Sequence, residues 1–339
     1  MLNTSTDILE NDILKRWPEV LQTLLVDHTT HKNIIWATDI YEKKYGKDYA
    51  FDKEIKTEQI TGDFGGVIKP RSVKSKEEQK IRIKEKAEVF TPSWICNAQN
   101  NLVDEAWFGR KDVFNREFVN EDGLHTWEPV ANKIVFPKEK TWKDYIRDTR
   151  LEITCGEAPY LASRYDTITG EFIPIERRIG LLDRKLRIVS ETARTSGEWL
   201  DWAQEAYKNI YGFEWQGDSL LLARENLLYT FIDYYEAKFG REPQKKSINY
   251  IAYIVSWNLW QMDGLKFVVP NSCKNWVIEK VPNLLYEEVK TVHCEGCLKG
   301  NRRKHNGIYC QIKDWRAKDK KTGKKGVPIR FVDLLKDKK

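Results

Sequence analysis

Nowhere in the 339-residue chain does an apolar run approach the roughly 20 residues that a membrane-spanning helix requires, so no membrane partner is expected. The amino terminus, MLNTSTDILENDILKRW, lacks the basic-then-apolar pattern of a secretory signal, and the expected compartment is the cytoplasm. Six cysteines in such a reducing setting argue against a disulfide framework and turn attention to packing or metal binding. No repeat of fixed period and no low-complexity tract outside the lysine-rich end occurs, which excludes solenoid and fibrous architectures. What is present, 41% hydrophobic residues including 13 tryptophans, suffices for a real core in one large domain or two modest ones.

The net charge of +6 is modest, and its distribution says more than its sum. From Lys299 to Lys339 there are fifteen Lys/Arg against four Asp/Glu, a local +11 that leaves −5 for the rest. A second basic stretch, Lys69 to Lys86, holds eight bases and three acids. Two basic clusters on an acidic body suit a polyanion, since neutralising phosphates releases counterions. Solvated faces are the plainer alternative.

Apolar spacing from Asp7 to about Tyr45 predicts two or three helices, and the Gly- and Pro-bearing stretch Thr57 to Val73 reads as a connection. The expected organisation is an N-terminal helical region over 1–68, an α/β domain over 69–290 with an irregular insertion at 109–147, and a Cys/His- and Lys-rich segment over 291–339. Within the domain, Thr149 to Leu161 presents a strand, a turn and a helix start. YGFEW follows helix AQEAYKNI and leads into helix SLLLARENLLYTFIDYYEAKF. The apolar segment Tyr250 to Trp260 reads as a third strand. Strand, helix, strand, helix, strand predicts a doubly wound, mainly parallel sheet.

In such a sheet a ligand sits beyond the carboxyl ends of the strands, where acids grip ribose hydroxyls or a base amine. The chain supplies Glu152 beside the turn at Gly156, Glu214 after the second strand and Asp263 after the third. Each has an ordinary alternative, since Glu214 can be an exposed strand-end acid and Asp263 a turn cap. Upstream, EVFTP places a strand-like tip before a helix capped by Thr91 with Pro92 first, and Phe90 can equally be core. Trp199, Trp202, Trp215, Trp257 and Trp260 are expected to pack a core, and Asp183, Arg184 and Lys185 to lie on an exposed helix face.

At these residues the chain resembles the adenine-specific (N6) DNA methyltransferases labelled restriction endonuclease subunit M. EVFTP (88–92) resembles the family's motif X, which implies Phe90, Thr91 and Pro92 against the methionine part of S-adenosylmethionine. LEITCGEAP (151–159) resembles motif I, which implies Glu152, Cys155 and Gly156 around its amino acid end. IYGFEWQGDSLLLARENLL resembles motif II, with Glu214 on the ribose, and NLWQMDGL resembles motif III, with Asp263 on the adenine amine. The order X, I, II, III is the gamma-type arrangement, and the resemblance spans about half of the chain. It implies a Rossmann-like fold of the class I S-adenosylmethionine-dependent type and double-stranded DNA as partner.

Motif I departs from the family at Ile153, where Pro is usual, and at Ala158, where Gly is usual. The family transfers methyl with (Asp/Asn)-Pro-Pro-(Tyr/Phe), whose polar groups hold the target amine and whose aromatic stacks on the flipped base. No such tetrapeptide is present, and Pro270, Pro282 and Pro328 are single. The ending GVPIRFVDLLKDKK resembles the segment that precedes the fourth strand in longer relatives. The expectation is the cofactor-binding part of a restriction-modification methyltransferase, inactive alone and completed by a second polypeptide. The alternative is a catalytically silent DNA-binding or assembly subunit. Separately, HCEGCLKGNRRKHNGIYC offers Cys294, Cys297, His305 and Cys310, with His293 as an alternative, as ligands of a structural zinc, against the plain reading of buried cysteines.

Overall fold

The computed structural model describes residues 6–8, 10–86, 88–282 and 287–336. Its centre is a three-stranded parallel sheet in the order β1 (Arg150–Ile153), β2 (Ile210–Glu214), β3 (Leu259–Gln261), with Glu152 opposite Gly212 and Phe213 opposite Trp260. Helices Leu181–Thr192 and Ser196–Tyr207 connect β1 to β2. Helices Gly217–Phe239 and Lys245–Asn258 connect β2 to β3. The chain is therefore of mixed α/β type with parallel strands and helical crossovers. Among the described residues no helix is long and apolar enough to cross a membrane.

Alternation along β2 divides the packing. Ile210 belongs to the main core, which also gathers Trp36, Trp199, Leu221 and Ile251, and so joins the N-terminal helices Glu10–Arg16 and Pro18–Leu25 to the crossover helices. Tyr211 and Phe213 point to the other face. There Phe213 and Trp260 are covered by Cys310, Ile312 and Phe331 of the C-terminal hairpin Gln311–Lys318/Lys325–Arg330 and its following turn. Every residue from Gly217 to Tyr235 is buried, so the long helix lies inside the protein and its charges are answered internally. Arg224 donates to the carbonyls of Leu24, Ser256 and Leu259, and Asp233 accepts from Arg164 at 2.8 Å and Arg178 at 2.7 Å.

Three sequence expectations are corrected. Tyr250 to Trp260 is mostly helix, and only Leu259–Gln261 is strand. A fully covered apolar segment carries no period that separates the two states. The insertion 109–147 is regular, with a hairpin pairing Asn115–Val119 with His125–Pro129 and a helix Trp142–Arg147 held by a Thr141/Asp144 capping box. Asp183, Arg184 and Lys185 are buried: Asp183 accepts from Ser163 and Gly180, Arg184 pairs with Asp104, and Lys185 donates to the carbonyls of Ile146, Asp148 and Asn209 that lead into β1 and β2.

Candidate functional site

Phe90, Thr91, Glu152, Cys155, Gly156 and Glu214 line one cleft of about 590 Å³ beyond the carboxyl ends of β1 and β2. The turn that shapes it, Thr154-Cys-Gly-Glu-Ala158, has three left-handed residues, with φ of +49° at Thr154, +54° at Gly156 and +61° at Ala158. Only glycine adopts this region freely, so Thr154 and Ala158 are held there by their surroundings. Glu214 fixes the turn to β2: Oε2 accepts from the Gly156 amide at 2.9 Å and Oε1 from the Gln216 amide at 3.2 Å. Phe90 lies beside the turn, with the Arg71 guanidinium 5.2 Å from its ring centroid.

Pro92 and Asp263 do not line the cleft. Pro92 occupies the cap position of helix Ser93–Phe108, one residue from the expected start. Asp263 Oδ1 accepts from the amides of Leu265 at 2.9 Å and Lys266 at 3.0 Å, which is the turn-capping role that its residue type favours.

The sequence reading missed Gln216 and Ser219, which enter from the first turn of the long helix, and Ala37 and Phe51, which come from the N-terminal region. QGDS directly follows Glu214 and was within reach of the motif. Ala37 and Phe51 carry no local signal, since only the fold brings them there. Trp215, expected in the core, is half-buried on the cleft wall with its indole donating to the Ala37 carbonyl. Trp202 is half-buried against Trp142, whereas Trp199, Trp257 and Trp260 are core.

A second cluster lies at the carboxyl end of β3. Cys273, Cys294, Cys297 and His305 bring four ligand atoms within 4.8 Å of one another, a set that could hold a metal ion. The third thiol is thus Cys273 and not the expected Cys310, whose Sγ is buried against Phe213 and Trp260 and donates to the Gln261 carbonyl at 3.2 Å. The loop after β3 runs back beside the Cys-x-x-Cys, which linear spacing could not reveal. His293 is not part of the set.

No family model matches this chain, nor does any curated protein or solved structure.

The electrostatics of the cleft distinguish it from a packing gap. Burial pushes the Glu152 carboxyl well above the usual carboxylate range; the Tyr160 and Leu161 amides pull it down and nearby Glu214 pushes it further up. Burial also raises Glu214, against the amides of Gly156, Gln216 and Trp215. Glu152 Oε2, Gln216 Oε1 and Ser219 Oγ are buried on the cleft wall without a hydrogen-bond partner among the described residues. Buried polar atoms are costly to leave unmatched. A ligand rich in donors, with a cationic group near Glu152, is the chemistry that would match them.

Proposed function

We propose that this chain is the S-adenosylmethionine-binding part of an adenine-N6 DNA methyltransferase of a restriction-modification system, with the transfer motif supplied by a second polypeptide. The observation that carries the proposal is the convergence of Phe90, Gly156, Glu152 and Glu214 on one cleft with uncommitted acceptors. The donor set fits the cofactor: Glu152 would take its ammonium, Glu214 its ribose hydroxyls, and Phe90, Phe51 and Trp215 would form apolar walls. When bound, the cofactor supplies an electrophilic methyl on sulfonium. This chain's residues orient it and exclude water.

The second polypeptide is supported by the sheet's edges. The outer edge of β3 is covered by the N-terminal segment, where the Gln261 side chain bonds both the amide of Ile35 at 2.9 Å and its carbonyl at 2.8 Å. Among the described residues the outer edge of β1 pairs with no strand, and Leu151 and Ile153 there are 41% and 66% exposed. Folded proteins rarely leave an apolar edge bare. The turn-capping role of Asp263 favours the alternative, a silent DNA-binding or assembly subunit. Structural zinc is the proposed occupant of the Cys₃His cluster, since thiolate and imidazole donors suit it.

Calorimetric titration of the full chain with S-adenosylmethionine tests the reading. Binding is expected, weakened at least about tenfold by Glu214→Ala or Glu152→Gln. Because the Glu152 carboxyl must ionise to pair with the ammonium, affinity should strengthen as pH rises, with proton release, and Glu152→Gln should flatten that dependence. No binding by the wild type would sink the proposal in favour of the silent subunit, and unchanged affinity in both variants would overturn the cleft as the cofactor site.

A further inference from the structure

The ligand geometry of the second cluster is already that of a coordinated ion. Cys273 Sγ lies 3.6 Å from both Cys294 Sγ and Cys297 Sγ and 3.5 Å from His305 Nδ1, which is 3.7 Å from Cys294 Sγ and 3.6 Å from Cys297 Sγ. A regular zinc tetrahedron has edges of about 3.8 Å between sulfurs and about 3.6 Å from sulfur to nitrogen. We infer that zinc bound by these four residues holds the described segments 263–276 and 294–310 together at this end of the sheet, clamping the loop after β3 to the Cys-x-x-Cys turn. The inference rests on the zinc assignment made above and extends it from occupancy to a role.

The packing around the site requires such a clamp. Among the described residues its apolar cluster consists of Val268, Cys273 and Cys294, with Cys297 and Tyr309 packed against it, so that three of the five are the ligands themselves. Among the described residues Val268 is the one buried aliphatic side chain packed on the ligands, whereas Phe267 and Val269 of the same loop face the Phe213 and Trp260 core, so little apolar burial ties that loop to the Cys-x-x-Cys turn. The backbone is arranged to deliver the ligands: Cys294 donates to the Asn275 carbonyl at 2.9 Å, Val269 to that of Ile308 at 2.8 Å, and Cys310 to that of Phe267 at 3.1 Å. The Asn306 amide points at Cys294 Sγ at 3.3 Å, the kind of outer-shell bond that steadies a thiolate. Between the two cysteines stands Gly296, where a Cβ would come within 2.7 Å of His305 Nδ1, so the imidazole can approach only because that side chain is missing. The Tyr309 hydroxyl accepts from the His305 amide at 2.8 Å and donates to the Arg302 carbonyl at 3.0 Å, tying the basic turn to the ligand set. The clamp thereby fixes Lys266 and Arg302 at the same end of the sheet as the cleft.

The test uses the full-length chain, with zinc measured by mass spectrometry and hydrogen exchange followed before and after a chelator. The wild type is expected to carry zinc. Its removal should speed exchange at least about tenfold over 266–276 and 294–310 while leaving the long helix protected. Cys273→Ser and Gly296→Ala should lose at least about tenfold in zinc affinity, and Cys310→Ser should keep it. A chain that takes up no zinc overturns the metal assignment. Zinc retained by Cys273→Ser overturns the ligand set, and unchanged exchange after removal overturns the clamp. Should Cys273→Ser not fold, cobalt(II) loaded into Cys310→Ser decides the ligand set: intense tetrahedral and thiolate bands like those of the wild type support it, and their loss refutes it. Titration with S-adenosylmethionine after chelation keeps the cleft reading separately testable.

Discussion

Thr154 is a β-branched, solvent-exposed residue in left-handed backbone, and among the described residues its hydroxyl bonds only the neighbouring Ile153 carbonyl, at 2.7 Å. Left-handed geometry costs an L-residue about 1–2 kcal/mol, while glycine costs about 0.5–1 kcal/mol in lost chain entropy. Because no packing is lost at an exposed site, Thr154→Gly should stabilise the protein by about 0.5–1 kcal/mol. A shift of the urea midpoint to higher concentration checks it, and a lower midpoint would mean that the turn does not strain this residue. Such a turn was legible as a Gly-bearing strand exit, but its strain was not, because φ along the turn depends on contacts made only after folding, such as the Glu214 bond to the Gly156 amide. The same limit applies at Asp183, Arg184 and Lys185. Their types suggested a wet helix face, yet their partners lie at Ser163, Asp104 and the entries to β1 and β2, distant in sequence and adjacent only after folding. Carboxylates at strand ends were easier to read, since Glu152 and Glu214 needed only their own strands to be recognised.

The N-terminal helix Glu10–Arg16 meets the long helix through an unusual contact. Glu10 and Glu225 are both buried, and among the described residues no other residue supplies a hydrogen bond to their carboxyl oxygens; the Glu10 backbone amide alone pulls its own carboxyl down. Burial, with Asp7 nearby, pushes the Glu10 carboxyl up to about 8, and burial with Glu10 raises Glu225 well above the usual range. The unfolded chain releases the Glu10 proton near 4.5, whereas the folded protein keeps it until about 8. Stability should therefore fall as pH rises from 4.5 and lose the whole Glu10 contribution once pH passes 8. Glu10→Gln should flatten that decline in urea titrations across the window. A wild-type stability that climbs with pH there would contradict the buried neutral pair. Elements as such were read unevenly. Amphipathic stretches and the strands with clear turns are recoverable from sequence, but the Tyr250–Asn258 half of helix Lys245–Asn258 has a strand-like apolar run because its residues are covered on most sides. Pairing Cys273 with Cys297 demanded the loop after β3, which no spacing rule reaches.

At the scale of the whole molecule the basic segment Lys299–Lys339 reaches both ends of the sheet. Arg316 at the outer half of the C-terminal hairpin bonds the Arg147 carbonyl and the Asn209 side chain, which lead into β1 and β2, so the exposed tip with Lys320, Lys321 and Lys324 faces away from the cleft. In the Lys69–Lys86 stretch, Arg82 and Lys74 are already committed to Asp218, at 2.6 and 3.8 Å. The turn with Lys299, Arg302 and Lys304 stands on the metal-competent lobe beyond β3, at the carboxyl end where a target base would have to enter; Lys299 and Lys304 pair with Glu295 at 3.1 and 2.8 Å, but these ion pairs are solvent-exposed and so weak enough to exchange for phosphate, unlike the buried pairs on Asp218. If the proposed methyltransferase reading holds, DNA must be gripped there. Fluorescence anisotropy with a labelled duplex over a salt series separates the two ends, since each phosphate contact contributes about 0.9 to the slope of log K against log salt. The triple variant Lys299→Ala, Arg302→Ala, Lys304→Ala should reduce that slope by roughly 2 to 3, whereas Lys320→Ala, Lys321→Ala, Lys324→Ala should leave it nearly unchanged. The reverse outcome would put the duplex at the amino ends of the strands, out of reach of the cleft, and the cleft could then not serve methylation of a base in that duplex.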